Sequence, residues 1–311
     1  MNFKTYLKNK GLSKETTKHY NMYVMDFISF LDTDNTEIEN VTTKEILLYL
    51  KELQKRNIGG VTRKLRLYGL KHFFNYQIEN QKRTNNPARR IKINSKQRQQ
   101  ITTILTKQEL QAIYQNYKVP TKNDKRKHHN WFKGYKLSRE RNKVILSLLI
   151  HQGITTAEVS RIQIEDLDLR KGEIHIRGGR MGKDRALPLK SSQIIDIMEY
   201  QYNTRKELLD YQKQETKQLF LSTPPSGKKH VITNGNLQIW KGLNKELRDQ
   251  NPKYIKLQHI RKSVIVNWLK QYNLREVQYK AGHRKIYSTE MYLVNDIDDL
   301  QAEITKYHPI N

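Results

Sequence analysis

The sequence contains no cysteine among its 311 residues. A disulfide framework, a thiolate zinc site and a cysteine nucleophile are therefore excluded. Long apolar runs are also missing, because the longest, residues 144–150, is far shorter than the roughly 18–20 residues that cross a bilayer. The N-terminal residues lack the apolar segment of a signal peptide. These absences predict a soluble cytoplasmic protein with no membrane partner.

Acidic residues are scarce relative to basic ones. The chain has 31 Asp and Glu residues against 58 Lys and Arg residues, which gives a formal net charge of +27. A positive field of this size attracts polyanions and steers them to the surface. A membrane surface would call for an exposed apolar face or a lipidation signal beside the basic residues. Nucleic acid is therefore the expected partner, and a generally basic proteome is the alternative explanation.

The length fits two domains, and the sequence pattern indicates where they meet. Residues 1–92 are predicted to form short helices, one of which begins with a capping box at Thr42–Glu45. Residues 93–104 show no periodicity and are predicted to be a linker. The second domain is predicted over residues 105–311 and begins with another capping box, Thr106–Glu109.

Basic residues are concentrated between residues 51 and 100. This stretch carries fourteen Lys and Arg residues and only two acids, Glu52 and Glu79. Solvated helix faces normally mix both signs, so a patch of one sign predicts a surface that follows a phosphate backbone. The residues predicted to contact DNA are Arg63, Lys64, Arg66, Lys71, Arg89 and Arg90 in this region, together with Arg177 and Arg185 further along the chain.

The second domain is predicted to be mainly helical with one β-hairpin. Residues 173–177 alternate with period two, and residues 185–189 follow a Gly-Gly turn. Helices are predicted over residues 138–151, 191–217, 236–250, 260–271 and 274–281 and after Ser288, with a basic loop over 118–135. The expected fold class is mainly α, with an all-α first domain and an α-rich second domain that carries a small antiparallel sheet.

Several candidate chemical groups follow one another along the second domain. Gly282-His283 comes directly after a short helix, and Tyr292 lies nine residues beyond His283. Arg261 stands near the start of an apolar helix, and Lys183 lies in the hairpin turn two residues before Arg185. None of these is decisive alone, because Tyr292 is one of 18 tyrosines. Their order and spacing together are specific.

With these motifs the chain resembles the tyrosine recombinase, or phage integrase, family over nearly all of its length. In that family a small helical, SAM-like core-binding domain precedes a catalytic domain. The catalytic motifs are a helix ending in a Thr-Gly-Leu-Arg-like sequence, a hairpin lysine, His-x-x-Arg, Gly-His and a tyrosine nine residues later. Lys183, Arg261, His283 and Tyr292 match the corresponding positions. The resemblance implies the DNA breaking-rejoining fold, closed as a clamp around a duplex.

The resemblance also implies a mechanism. Tyr292 would attack a DNA phosphate and form a 3′-phosphotyrosine that keeps the bond energy, so no cofactor, metal or ATP is expected. The transition state needs preorganised positive donors, and Arg261 and His283 would supply them. Lys183 would donate a proton to the departing 5′ oxygen.

Two positions depart from the family pattern. Thr155 stands where the first arginine is expected, as is also the case in some mobile-element integrases of the family. Gln258 stands at the histidine of His-x-x-Arg, and His259 follows one residue late. His259 is therefore a candidate catalytic histidine, and Arg180 or Arg177 is a candidate replacement for the missing arginine. The alternative is that both arginines contact the DNA backbone.

Three functions remain open at this point. The leading one is an integrase or transposase of a mobile element that recombines specific double-stranded sites in a tetrameric synapse. The apolar stripe over residues 293–304 would then dock on a neighbouring subunit, or else pack in its own chain. The second is a catalytically impaired paralogue that binds DNA as an accessory factor, and the third is a nicking-closing topoisomerase or hairpin telomere resolvase. The expected location is the nucleoid of a prokaryote, or a viral origin.

Overall fold

The structure is a computed structural model. The residues that it describes are 2–33, 35–94, 103–121, 123–179, 182–212, 216–223 and 235–293. The chain divides into two compact units, residues 1–100 and residues 101–311. Within the described ranges, no helix has the length and apolar character needed to cross a membrane.

The first unit is built from helices around an aromatic core. The helices are α1 (Phe3–Asn9), α2 (Lys14–Thr33), α3 (Thr43–Lys55) and α4 (Gly60–Glu79), with a 3₁₀ turn at Ile38–Asn40. The predicted capping box opens α3, where Glu45 accepts the backbone N–H of Thr42 at 2.7 Å. Phe27, Tyr49 and Phe74 are completely buried, and the ring of Phe27 makes edge contacts with both of the others.

The second unit is mainly helical. Its helices are α5 (Lys107–Gln115), α6 (Phe132–His151), α7 (Thr156–Val159), α8 (Ser191–Glu199), α9 (Arg205–Gln212), α10 (Gly235–Gln250), α11 (Leu257–Leu269), α12 (Leu274–Ala281) and α13 (Tyr287–Glu290). The apolar run over residues 144–150 belongs to α6 and is almost entirely buried in the core. This run explains why α6 is a central helix, with its C-terminal end leading to the site described below.

A small antiparallel sheet accompanies these helices. Its strands are β1 (Leu167–Asp168), β2 (Glu173–Ile176) and β3 (Arg185–Pro188), in the order β1-β2-β3. The predicted hairpin is confirmed, because β2 and β3 pair from Glu173 opposite Pro188 to Ile176 opposite Arg185. The mainly α fold class with a small antiparallel sheet is likewise confirmed.

Some element boundaries differ from the predictions. The helix predicted over residues 138–151 already begins at Phe132, because the buried Phe132 and Leu137 extend its apolar face into the predicted basic loop. The helix predicted over residues 191–217 is described as far as Gln212, does not include residues 216 and 217, and contains a π-helical turn at Tyr200–Thr204. The earlier start of α6 depends on buried side chains that a Lys-rich local sequence conceals.

Candidate active site

Several segments of the second unit meet through backbone contacts. Arg261, in the first turns of α11, donates to the carbonyl oxygen of Gly153 just after α6. It also donates to the carbonyl oxygen of Ala281, the last residue of α12, at 2.7 Å. The N–H of Lys183 in the hairpin donates to the carbonyl oxygen of Gly282 at 3.0 Å. These contacts bring three of the predicted motifs into one place.

Arg261 lies at the centre of this arrangement. Its side chain is only 13% exposed, and its Nη2 also lies 3.3 Å from Nε2 of His283. Burial lowers the pKa of Arg261, whereas the nearby Glu158 and Tyr292 act to raise it. A guanidinium remains protonated in proteins, so Arg261 is a fixed positive donor.

The protonation of His283 follows from its two neighbours. An arginine can only donate, so Nε2 of His283 must accept from Arg261. Nδ1 then carries the proton and donates to Oγ1 of Thr289 at 2.9 Å. Burial, followed by the positive charges of Arg261 and Arg185, lowers the pKa of His283 to about 4. The imidazole is therefore neutral at pH 7.

Thr289 is a functional candidate that sequence reasoning missed. Its side chain is completely buried in α13, three residues before Tyr292, and its hydroxyl fixes the orientation of the His283 ring. A threonine in a short polar segment gives little signal by itself. Its spacing of six residues from the Gly-His motif is the only feature of the sequence that points to it.

Tyr292 lies against His283 within the same chain. The two rings stack with centroids 5.7 Å apart and planes 20° from parallel. The tyrosine ring also packs on a small apolar cluster formed by Ile265, Val277 and Ala281. The candidate nucleophile, His283 and Arg261 therefore form one contiguous group.

The hairpin approaches this group from the side. Gly182 pairs with His283 in an isolated antiparallel bridge, and the side chain of Lys183 is exposed. The base of the turn is thus fixed next to the Gly-His motif while the lysine side chain faces solvent. Arg180, the other candidate in this turn, lies outside the described residues.

Thr155, where the family's first arginine is expected, caps α7. Its Oγ1 accepts the N–H of Glu158, and its own N–H and hydroxyl donate to Oε2 of Glu158 at 2.7 and 2.9 Å. Oε1 of Glu158 accepts from Nη1 of Arg185 at 2.7 Å. Burial acts to raise the pKa of Glu158, but Arg185, the backbone of Thr155 and the charge of Arg261 together lower it, and the net shift is downward. Thr155 is thus committed to a cap.

Two glycines are required by the close packing around these residues. Gly153 and Gly282 have φ angles of +56° and +67°, in the left-handed region that side chains rarely adopt. A Cβ on Gly153 would lie 2.9 Å from the ring of Trp268, and one on Gly282 would lie 2.2 Å from Nη1 of Arg185. The Gly-His motif therefore needs glycine for both backbone conformation and space.

The prediction of a catalytic His259 needs correction. His259 is 2% exposed, and its Nε2 contacts the carbonyl oxygen of Thr103. Residues two positions apart on an α-helix are rotated by about 200° around its axis. His259 therefore points away from the side of α11 that carries Arg261. Gln258, at the family's histidine position, is exposed at the start of α11.

Two of the predicted DNA contacts, Arg185 and Arg66, also need correction. Arg185 is completely buried on Glu158 and cannot touch a duplex. Arg66 is 12% exposed and donates to Asp26 and Tyr49 within the first unit. Arg177 donates to Asp166 at 2.8 Å and to Glu165 at 3.0 Å but is 40% exposed, so its contact with DNA and its replacement of the missing arginine stay predictions.

The remaining predicted contacts lie on the first unit. Arg63 donates to Gln54 at 2.8 Å, and Lys71 donates to the carbonyl oxygens of Arg89 and Ile91. Lys71 therefore anchors the segment that follows α4. The side chains of Arg89 and Arg90 are exposed, and that of Lys64 is partly exposed. In the described parts of both units, no three His, Asp or Glu side chains are grouped as a metal site would require.

Comparisons with known families agree with this geometry. Residues 133–297 match the family model described as the phage integrase family. Residues 1–81 match the model described as the phage integrase N-terminal SAM-like domain. The two matches correspond to the two units of the structure.

Individual proteins similar to this chain include recombinases and an integrase. A tyrosine recombinase of Pseudothermotoga lettingae is 25% identical over 298 residues, which cover 94% of this chain and 92% of the relative. The fold resembles that of a XerH site-specific recombinase bound to its difH substrate, with a TM-score of 0.64, 17% identity and coverage of 93% and 79%. It also resembles a lambda integrase tetramer bound to a Holliday junction, with a TM-score of 0.61, 15% identity and coverage of 93% and 74%.

Proposed function

Because this chain belongs to the phage integrase family of tyrosine recombinases, which are site-specific DNA strand transferases, we propose that it cuts and rejoins DNA through Tyr292. The contiguous group of Arg261, His283 and Tyr292 is the observation that supports this assignment. The phenol would attack the scissile phosphate, forming the bond from tyrosine oxygen to phosphorus and breaking the bond to the 5′ oxygen. The product is a 3′-phosphotyrosyl enzyme with a free 5′ hydroxyl.

The proton moves between groups of this chain. Nε2 of the neutral His283 accepts from Arg261 in the free protein. When a phosphate takes over the Arg261 donors, the lone pair of Nε2 becomes available to accept the proton of Tyr292. Lys183, exposed on the hairpin, donates the proton that the departing 5′ oxygen needs. Arg261 stabilises the charge that develops on the phosphate oxygens.

The substrate would be double-stranded DNA bound by both units. The net charge of +27 and the exposed Arg89 and Arg90 support contact with a phosphate backbone. We assign the chain to a mobile element, as an integrase or transposase, because Thr155 lacks the guanidinium found in most of the family. Its working form would be a tetramer on two duplexes, as in the lambda integrase complex with a Holliday junction.

The apolar stripe at the C-terminus is part of this assembly proposal. Most of it, from Val294 onward, lies outside the described residues. Docking of this tail on a neighbouring copy would make a chain truncated after Leu293 bind a single site but fail to form the four-subunit complex. Analytical ultracentrifugation of both chains with duplex would distinguish these cases, and an unchanged assembly would contradict the docking role.

A nicked suicide duplex tests the central claim. The duplex would carry the end of the element, so that cleavage releases a short strand and traps the covalent complex, and the reaction would contain EDTA. A denaturing protein gel should show a shifted band for the natural chain and none for Tyr292→Phe. Absence of the band, despite tight and salt-sensitive binding of the same duplex, would favour the accessory DNA-binding function instead.

The role of Lys183 needs a chemical test. Lys183→Ala should slow cleavage of the ordinary duplex but not of one in which sulfur replaces the bridging 5′ oxygen, because a thiolate leaves without a proton. Arg261→Lys serves as the matched control, since the sulfur substitution does not replace a phosphate donor. Equal slowing of Lys183→Ala on both duplexes would remove Lys183 from the mechanism.

A further inference from the structure

Arg185 is a buried cation that the proposed mechanism does not use. Its side chain is 0% exposed, on the inner face of β3. Nη1 donates to Oε1 of Glu158 at 2.7 Å, and Nε donates to the carbonyl oxygen of Lys280 at 2.8 Å. Nη2 is buried with no hydrogen-bond partner among the described residues. An unpaired buried donor costs stability, so an explanation other than stability is needed for this residue.

Glu158 lies between two arginines and is not shared equally. Its Oε1 is hydrogen-bonded to Arg185, and its Oε2 accepts from the N–H and hydroxyl of Thr155. Nη1 of Arg261 lies 3.7 Å from Oε2, beyond hydrogen-bonding distance. The carboxylate is therefore satisfied without Arg261, whose donors point instead to the two backbone carbonyl oxygens and to His283.

We propose that Arg185 is a positioning residue that occupies Glu158 and so leaves Arg261 to hold the scissile phosphate. This inference rests on the proposed function. Arg185 thereby compensates in part for the arginine missing at Thr155, because it prevents Glu158 from neutralising Arg261, the remaining arginine of the phosphate site. It acts from inside the protein, without touching DNA.

The alternative partner for Glu158 explains why this matters. Without Arg185, the buried carboxylate would have one strong donor missing, and among the described residues Arg261 is the cation that remains within 4 Å of it. A movement of about 1 Å would bring Nη1 of Arg261 into a charge-assisted hydrogen bond, whose usual length is about 2.7–2.9 Å. Arg261 would then lose its hydrogen bond to His283, and its charge would be paired with Glu158 and not with a phosphate.

Arg185 also fixes the path of the Gly-His motif. Its bond to Lys280 holds the end of α12, and Gly282 passes so close that a Cβ there would lie 2.2 Å from Nη1. Strand β3 is in this way joined to the segment that carries His283. The same arginine thus links the hairpin that bears Lys183 with the residues that surround the phosphate.

A double-mutant cycle separates capture of Arg261 from simple structural damage. In Arg185→Met, the carboxylate of Glu158 is left to pair with Arg261, and the single-turnover rate of covalent-complex formation should fall by about 10²–10³, the loss expected when one transition-state donor is removed. In Arg185→Met with Glu158→Gln, nothing is left to capture Arg261, and the rate should recover to within about tenfold of the natural chain. The affinity for the duplex should stay the same in both variants.

Arg185→Lys gives an independent comparison, because it keeps a positive charge beside Glu158 but loses the hydrogen bond from Nε to the carbonyl oxygen of Lys280. It should cleave faster than Arg185→Met. Urea unfolding followed by tryptophan fluorescence would confirm that each variant is folded. A folded double variant that is as slow as Arg185→Met, or an Arg185→Met variant as fast as the natural chain, would overturn the inference.

Failure of the proposed function gives a different result. In that case the natural chain itself would form no covalent complex, and Tyr292→Phe would be indistinguishable from it. That outcome removes both proposals, whereas a trapped natural chain with no rescue in the double variant removes only the role of Arg185.

Discussion

The two units each contain a carboxylate placed between two arginines. In the first unit, Asp26 on α2 accepts from Arg66 on α4, and Arg56 lies 3.7 Å away. In the second unit, Glu158 accepts from Arg185, and Arg261 lies 3.7 Å away. In both cases one arginine is nearly or completely buried and holds the acid, while the other stands just beyond hydrogen-bonding distance.

The surroundings of the second arginine make the difference. Arg56 is 49% exposed, so its charge is screened by water. Arg261 is 13% exposed and contacts His283, which stacks on Tyr292. A buried arginine–carboxylate pair therefore lies in a helical core in one unit and beside the candidate active site in the other. The ion-pair geometry is alike in the two clusters, and the neighbours of the second arginine, Arg56 or Arg261, are what distinguish them.

Replacing the second arginine of each cluster should separate the two most strongly. Arg261→Lys should slow covalent-complex formation by about 10²–10³. The single ammonium group of lysine cannot donate at once to the carbonyl oxygens of Gly153 and Ala281 and to a phosphate, as the planar guanidinium can. Arg56→Lys should leave the rate unchanged. Single-turnover cleavage of the suicide duplex measures both. Equal effects in the two variants would mean that the clusters do not differ in function.

Replacing the holding arginine of the first unit should affect stability and not chemistry. Arg66→Met removes the charged hydrogen-bond donor of Asp26 and Tyr49 and leaves Asp26 only Arg56 at 3.7 Å, which should cost about 1.5–3 kcal/mol in the free energy of unfolding. All three tryptophans, Trp131, Trp240 and Trp268, lie in the second unit. Urea unfolding followed by circular dichroism should therefore shift, while the tryptophan fluorescence transition stays in place.

The matched control is Arg66→Met combined with Asp26→Asn, which removes the unpaired charge and should recover part of the lost stability. Cleavage per bound complex should equal that of the natural chain in both variants. A loss of cleavage with intact binding would show that the Asp26 cluster takes part in the chemistry and does not serve stability alone.

The sequence contained a signal for the burial of both holding arginines. Residues alternate in and out along β3, so Arg185 shares a face with the buried Leu187 and not with the exposed Ala186. On α4, Arg66 precedes Leu70 by four residues and Phe73 by seven, which places it at the edge of the buried stripe. Charge suggested a DNA surface, whereas periodicity indicated the interior, and periodicity was the better guide.

Other parts of the site could be predicted because they depend on local spacing. The position of His283 after a helix that ends in glycine follows from the sequence alone, as does the hairpin that carries Lys183. The hydrogen bond from His283 to Thr289 and the sharing of Glu158 could not be predicted. They depend on how distant segments pack, and no spacing in the chain encodes them.

Acidification should affect the second unit through its histidines. Burial, together with nearby positive charge, lowers the pKa of both His151 and His283 to about 4. Between about pH 4 and pH 6.5 the unfolded chain therefore binds protons that the folded chain does not, so stability falls as the pH falls. Allowing for solvent screening, the loss should be about 1 kcal/mol from pH 7 to pH 5.

Fluorescence-detected urea unfolding at the two pH values would measure this loss. It should shrink in a chain with both His151→Asn and His283→Asn. The Asp26 cluster gives a useful contrast, because burial opposes but Tyr49, Arg66 and Arg56 together lower the pKa of Asp26. The stability that Asp26 contributes is fully present above the ordinary pKa of an aspartate, and it is lost only as the pH falls through the lowered pKa of the folded state. A pH-independent fluorescence midpoint would contradict the neutral state assigned to His283.

The smallest expected effect concerns two neighbouring cations on α4. Lys64 is partly exposed, whereas the guanidinium of Arg66 is held by Asp26. Lys64→Gln should weaken duplex binding by a few fold and reduce the slope of log K against log salt by about 1, as expected for loss of one phosphate contact. Arg66→Met should leave that slope unchanged, because its charge is already paired inside the protein.

Fluorescence anisotropy with a labelled duplex over a range of salt concentrations measures both slopes. A reduced slope for Arg66→Met would mean that DNA draws this arginine away from Asp26, and the first cluster would then be a DNA-sensitive contact instead of a fixed part of the core.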